Sequence, residues 1–433
     1  MRAFGGGFSA GDYLSDIAEN FKFRYLGLGF LWAWIYCTWF TPVLFPESTG
    51  LTVNNDISWF ISAASVMVTL FVMSLFVRHR DLSTVPVIGS IAGPATTLGA
   101  IMMAIEPLFG ISLPVVSFVG AALTGVASGW LWMLWGEFTG KVDQELAEMF
   151  VPFCVAVPLA GIFTCTFVTG PLAGVAVCCL PLVSGWLFDL SIRDTEVLKP
   201  VTLLSAEDRP KYMGDFLRVG LGSLSIYTCL SFAWGTLDYA TMTGWGDTHL
   251  ISYIIGAALA IVVAVLSILY LKRLDLFALY RWLIPVILIG PALLAVESFW
   301  ARFFSLMLVT LAQYGFDIIV WIYFSRIARK GVCSGGFAIG INRGFVQAGC
   351  FTGSLIAMGL RPLIEQSETM LLFVVLILSG VMTSVVLMVL NRKDEIERMT
   401  TKDAAQPAPS DVPSVDYEAV CDRLAETCGL TAR

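Results

Sequence analysis

Apolar runs of roughly 20 residues recur along nearly the whole chain, each closed off by a short polar or charged stretch. That length matches the hydrocarbon core of a bilayer at the helical rise. Twelve such runs are legible: 25–45, 57–77, 84–104, 112–135, 149–169, 171–190, 214–236, 248–271, 279–297, 302–324, 335–359 and 369–391. Lipid offers no partners for backbone N–H and C=O groups, and the runs are too long for barrel strands, so each is predicted to be a helix. The opening "MRAFGGGFSAGDYLSDIAENFKFRYLG" has no apolar stretch followed by a small-residue cleavage site. Residues 1–24 therefore read as a cytosolic lead-in with a short amphipathic stretch. After Asn391 the periodicity is lost. "KDEIERMTTKDAAQPAPSDVPSV" is polar and rich in Pro, Ala and Ser, which predicts a flexible linker over 392–415.

The connections between runs alternate in charge. Lys22, Arg24, Arg78, Arg80, Lys141, Arg193, Lys199, Arg209, Lys211, Lys272, Arg273, Arg326, Arg329, Lys330, Arg392 and Lys393 all fall on one side. The opposite loops carry Arg302 and Arg361 together with Glu47, Asp56, Glu106, Asp238, Asp247, Glu297 and Glu365. Basic loops stay inside, so both termini are expected in the cytosol. The longest internal connection, 191–213, contains "KPVTLLSAEDRPKY", with Ser205 placed as an N-cap and Asp208 in the first turn. It separates residues 25–190 from residues 214–391, six runs each, with no repeat visible between them. This layout resembles the major facilitator superfamily over about residues 20–393. The resemblance implies an all-α membrane protein of twelve transmembrane helices in two six-helix halves.

Composition narrows the chemistry. Of 433 residues 57% are hydrophobic and 14% charged, so a soluble protein of this size is excluded. The ten cysteines fall mostly inside apolar runs, there is no CxxC, and the two histidines, His79 and His249, stand apart. Neither a metal, a cofactor nor a disulfide is expected. No run carries a His/Glu metal motif, a nucleophile beside a base, or a phosphate-binding glycine loop, so the chain is not read as an enzyme. "GGFAIG" in the eleventh run reads as a device for close helix packing.

Polar residues inside the runs are few. Run ten, "SLMLVTLAQYGFDIIVWIYF", holds Gln313 and Asp317. Run eleven, "GGFAIGINRGFVQAGCFTG", holds Asn342, Arg343 and Gln347. A charge at the bilayer centre costs roughly 2.5–3.5 kcal/mol on insertion scales and is normally turned inward and partnered. The two runs are antiparallel, which places Asp317 and Arg343 at a similar depth, about 12 Å from one membrane edge. They are expected to pair or to share a ligand, and a pair that only locks two helices satisfies the same residues. Arg343 is the candidate for gripping an anion, because its fork matches a carboxylate. In a facilitator fold runs one, four, seven and ten line a central cavity. Trp32, Tyr36 and Trp39 share one face of run one, and Tyr227, Thr228, Ser231 and Trp234 lie in run seven. Trp32, Tyr36, Tyr227 and Trp234 are candidates to stack on an aromatic or anionic small molecule. An aromatic belt at the bilayer surface is the other reading, and the preferred one for Trp130, Trp132, Trp135, Trp245 and Trp300.

The tail carries a second resemblance. "DYEAVCDRLAETCGL" places Tyr417, Val420, Leu424 and Cys428 on a helical stripe ending at Gly429, and "LAETCGLTAR" resembles the start of a LuxR-type helix-turn-helix domain through Leu430, Thr431 and Arg433. Residues 416–433 are therefore expected to begin such a domain. A facilitator-like bundle, a linker and this motif are together similar to bacterial membrane-bound LuxR-type regulators. That implies a small-molecule sensor in the inner membrane and contact with DNA only through a domain missing from this chain, with dimerisation through that domain. The tail itself is acidic and has no electrostatic footprint for DNA. The alternative is a facilitator-type transporter of a small organic solute. Against it, the loop "VRHRDLST" keeps basic residues and Asp81 but lacks the glycines of the facilitator signature, and "VPLAGIF" only loosely echoes the family's span-five pattern.

Overall fold

The structure is a computed structural model. It describes residues 21–390 apart from 42, 46–51, 79, 169, 195–197, 199–200, 202, 204–208, 242–247, 272–275, 297 and 367. The Ser205–Asp208 cap, His79, most of the 191–213 connection, residues 1–20 and the tail from 391 lie outside the described residues. So do the 392–415 linker and the 416–433 motif.

Every apolar run forms a helix. The helices are α1 (Gly27–Phe40), α2 (Thr52–Phe76), α3 (Pro86–Met103), α4 (Pro114–Lys141), α5 (Gln144–Cys154 continuing as Ala156–Phe167) and α6 (Pro171–Ile192). They are followed by α7 (Arg209–Thr241), α8 (Thr248–Leu271), α9 (Leu276–Ala292), α10 (Phe299–Arg329), α11 (Gly335–Gln366) and α12 (Glu368–Leu390). Among the described residues Ile57–Phe76, Pro114–Lys141, Leu146–Cys165, Pro171–Ile192, Phe216–Gly235 and Phe299–Arg329 are each long and apolar enough to cross a bilayer. By its contacts the chain divides into Met1–Val385 and Val386–Arg433, and only the last turn of α12 is described in the second unit.

The two groups of six that the sequence does not reveal as a repeat emerge from the packing. α2 and α3 pack on α4, and α1 packs on α5. The same pairings recur six helices later, with α8 and α9 on α10 and α7 on α11. The contacts between groups obey the same two-fold relation: α2 meets α11 as α8 meets α5, and α4 meets α11 as α10 meets α5. α12 covers the outside of the second group, where Val375 packs with Phe232 and Ala357. The fold is all-α, with twelve helices in two six-helix halves.

Several helices outrun the apolar stretches that foreshadow them, because charged residues beyond the run find partners. The run in α4 ends near Trp135, yet the helix continues to Lys141. Glu137, buried in that extension, accepts from Lys141 Nζ at 2.8 Å and from the backbone N–H of Ser83 at 3.0 Å. Lys141 also reaches Asp81 at 2.9 Å, so the "VRHRDLST" loop is tied to α4. α5 breaks at Val155. Pro158 can neither donate to the Cys154 carbonyl nor tolerate it beneath its ring, so the helix is interrupted one turn upstream.

At the end of the bundle rich in Lys and Arg, the halves interlock. Arg326 donates from Nε (3.0 Å) and Nη2 (2.5 Å) to Glu148 Oε1, and Arg329 Nη2 donates to Asp143 Oδ1 at 3.0 Å. Ser334 caps α11 by accepting from the Phe337 N–H at 3.1 Å, while its hydroxyl donates to the Val77 carbonyl at 2.5 Å. α4 and α11 touch backbone to backbone here: a Cβ on Gly335 would stand 2.5 Å from the Gly136 carbonyl oxygen. The glycines of "GGFAIG" thus serve close packing.

Candidate functional site

Five helices converge at mid-depth on one ion pair. Arg343 Nη1 on α11 donates to Asp317 Oδ1 on α10 at 2.7 Å, with both side chains almost wholly buried. Tyr227 on α7 donates to the same oxygen at 2.5 Å, and Tyr36 on α1 donates to Oδ2 at 3.3 Å. Gln313, one turn before Asp317 on the same face of α10, donates to the Tyr36 hydroxyl at 3.0 Å and accepts from Trp234 Nε1 at 2.9 Å. One hydrogen-bonded chain therefore runs from Trp234 through Gln313 and Tyr36 to Asp317.

The guanidinium sits in an indole cage. Arg343 Cζ lies 4.5 Å from the ring centroid of Trp132 on α4, 5.2 Å from that of Trp321 on α10 and 5.7 Å from that of Trp32 on α1. The three rings also contact one another at 5.6–6.2 Å. In a water-poor site such contacts contribute roughly 2 kcal/mol or more to holding a cation. A second aromatic group lies beside it: Tyr36 meets Tyr314 at 4.7 Å, Phe40 meets Trp234 at 4.7 Å, and Tyr253 and Tyr314 share a 2.6 Å hydrogen bond.

Among the described residues, the buried charged residues are Glu137, Glu148, Asp194, Asp317 and Arg343. The first two belong to the interlocked basic end, and Asp194 lies in the connection after α6. Away from that end, the charged side chains that are buried as whole residues, among the described residues, are Asp317 and Arg343. Several donors around them lack an acceptor: Arg343 Nε, Trp32 Nε1, Trp321 Nε1 and Asn342 Nδ2 are buried with no hydrogen-bond partner. Leaving such groups unmade costs about 1–3 kcal/mol each. All four are N–H donors, so a group rich in acceptors complements them.

The sequence-predicted residues divide accordingly. Asp317, Arg343, Gln313, Tyr36 and Tyr227 form one network, with Trp234 at its end and Trp32 in the cage. Asn342 sits beside Arg343 but turns to α7, where its Oδ1 accepts from Ser223 Oγ at 3.1 Å. Gln347 is half-buried and makes no hydrogen bond among the described residues. Rather than facing an open hollow, Asp317, Arg343, Tyr36, Tyr227 and Trp32 are buried against one another. The surface-belt reading fails for Trp132 and Trp135. Trp132 belongs to the cage, and Trp135 is buried with its Nε1 donating to Ser184 at 3.0 Å. Trp300 is exposed as a belt residue is, and Trp245 lies outside the described residues. Sequence reasoning missed Trp132 and Trp321. The second carried a signal, because Gln313, Asp317 and Trp321 recur every four residues on one face.

No family model matches the chain, and no curated protein matches it in sequence. Solved structures do. A bacterial homologue of the iron transporter ferroportin, in an outward-facing state with soaked iron, is similar at a TM-score of 0.62 and 15% identity, covering 86% of this chain and 98% of that one. The human organic anion transporter MFSD10 is similar at 0.56 and 12%, covering 85% and 97%. The E. coli fucose:proton symporter FucP is similar at 0.55 and 12%, covering 88% and 99%. These likenesses establish a major-facilitator-like fold, and the helices long and apolar enough to cross a bilayer fit a multi-pass membrane protein.

Proposed function

We propose that this chain is a transporter of a small organic anion, with Arg343 as the ionic partner of the solute. The carrying observation is Arg343 itself: a guanidinium buried at mid-depth, held by one carboxylate and enclosed by Trp32, Trp132 and Trp321. In this reading Asp317 occupies Arg343 in the absence of solute, and the solute carboxylate takes its place when the halves rearrange. The indoles and Tyr36 offer flat apolar faces to a planar body, while the N–H donors serve its oxygens. The transporters of like fold favour solute movement over signalling. The domain division read from the sequence belongs to this proposal and rests on the spacing of the apolar runs about the 191–213 connection; both termini in the cytosol belong to it too and rest on the Lys/Arg bias.

A second reading rests on Leu430, Thr431 and Arg433 of the tail. The same bundle would then report occupancy to a LuxR-type DNA-binding domain and need not move solute. Labelled benzoate separates the two in proteoliposomes holding the full chain. Saturable uptake, blocked by unlabelled benzoate but not by the neutral benzamide, supports transport. Saturable binding without uptake supports the sensor.

A further inference from the structure

We infer that Cys37 and Cys165 are a redox pair, which a peroxide closes into a reversible disulfide that staples α1 to α5 inside the first half.

The sequence gives no reason to pair these two cysteines; the packing does. Cys37 lies three residues before the end of α1, and Cys165 lies two before the end of α5. Both helices start at the end rich in Lys and Arg, so both thiols sit near the opposite end. The helices approach closely because small residues meet between them. A Cβ on Gly29 would stand 2.5 Å from the Cys154 carbonyl oxygen, and one on Gly161 would stand 2.9 Å from Cys37 Sγ. Cys165 follows Gly161 by one turn on the same face of α5. It is there that the two buried thiols hydrogen-bond to each other. Other buried thiols are spent on backbone: Cys154 donates to the Tyr25 carbonyl at 3.6 Å, and Cys229 to the Leu378 carbonyl at 3.5 Å. No third His, Cys, Asp or Glu joins Cys37 and Cys165 among the described residues, so the pair falls short of a zinc site.

An apolar, uncharged surrounding suits a disulfide, which buries no charge. It also admits a small uncharged oxidant such as hydrogen peroxide. Cys165 is 7% exposed and Cys37 1%, so Cys165 is attacked first. The Thr41 hydroxyl, which donates to the Cys37 carbonyl at 2.5 Å, borders the Cys165 sulfur and can turn to it as the thiolate forms. That sulfur bonds to one peroxide oxygen. The O–O bond breaks, and the other oxygen leaves as water with the Cys165 proton. The Cys37 sulfur then attacks Cys165, the S–S bond forms, and the S–O bond breaks. The second oxygen leaves as water with the Cys37 proton. Each sulfur gives up one electron and the peroxide takes two; a thiol reductant returns them. With the termini in the cytosol, the pair lies toward the opposite face, where disulfides persist.

The test uses the purified, reduced full chain in nanodiscs, treated with hydrogen peroxide. Remaining thiols are alkylated after denaturation, and the peptides are mapped by mass spectrometry. The expected result is a cross-linked peptide pair holding Cys37 and Cys165, split again by a phosphine reductant. The melting temperature of the oxidised chain should rise by several degrees, because the link closes a long loop in the unfolded chain. Cys165→Ser should give no such peptide, leave Cys37 open to alkylation, and melt alike with and without peroxide. Wild-type Cys37 and Cys165 both alkylated after oxidation would overturn the pairing. So would Cys165 carried to a sulfinic acid beside a free Cys37, or linked to another cysteine. A formed link with an unchanged melting temperature would overturn the staple. Should the variant fail to fold, the wild-type peptide map decides alone.

Discussion

Trp132 lies across the guanidinium of Arg343, 4.5 Å from ring centroid to Cζ, so α4 of one half holds the charge of α11 in the other. The contact makes the cage part of the interface between halves as well as part of the site. Replacing Trp132 with Phe keeps most of the volume and weakens the face the cation sits on. Thermal unfolding in detergent should show a loss of about 1–2 kcal/mol, and benzoate binding should weaken in the same variant. Unchanged stability and affinity would mean the indole only fills space.

The Asp317–Arg343 pair should behave as a unit. Arg343→Gln alone leaves a buried carboxylate without its cation, and a loss of about 3–5 kcal/mol is expected. Asp317→Asn combined with Arg343→Gln removes both charges and should recover most of that loss, giving a strongly non-additive double-mutant cycle. Denaturation of the single and double variants measures it. Additive losses would show that the two charges are independently stabilised.

Much of this arrangement was legible in the sequence. Asp317 and Arg343 announced themselves because lipid does not tolerate an unpaired charge, and antiparallel runs put them at one depth. The twelve helices followed from run length, though their ends did not: the α4 run stops near Trp135, but Lys141 neutralises Glu137, Ser83 hydrogen-bonds it, and the helix continues. Trp132 was hidden for another reason: α4 is apolar on nearly every face, so periodicity does not say which of its indoles points inward, and the nearby charged residues made it look like a surface belt. Trp321 was the more legible of the two, since it falls at every fourth residue with Gln313 and Asp317. The two-fold relation between halves was likewise invisible, since it is kept in helix pairings rather than in residues.

The backbone contact between α4 and α11 leaves no room for a side chain. Gly335→Val would put a branched side chain where a Cβ already stands 2.5 Å from the Gly136 oxygen. Overpacking of this kind costs about 1–3 kcal/mol. It should lower the melting temperature and raise the reactivity of a cysteine placed at Ser334, read with a water-soluble maleimide. Equal reactivity in both backgrounds would contradict the packing described.

Asp194, just after α6, accepts from Lys22 at 2.8 Å, from Tyr25 at 3.0 Å and from Arg24. Burial raises its carboxyl, but the hydrogen bonds from Lys22, Tyr25 and Arg24 outweigh it and hold the group below its ordinary value. A depressed carboxyl stabilises the fold above its unfolded value and stops doing so as pH falls through the folded one. Asp194→Asn should therefore melt below the wild type at pH 7, by about 1 kcal/mol after allowing for the partly exposed Lys22. The gap should close in acid. A gap that widens toward low pH would contradict the assignment.

The central claim is that Arg343 carries the solute anion through the bundle. It is tested most directly by uptake of labelled benzoate into proteoliposomes, comparing the wild type with the charge-neutral Asp317→Asn/Arg343→Gln double variant, whose helicity and melting are checked first. The account predicts saturable uptake by the wild type and none above empty liposomes by the folded double variant. Equal saturable uptake by both would contradict it.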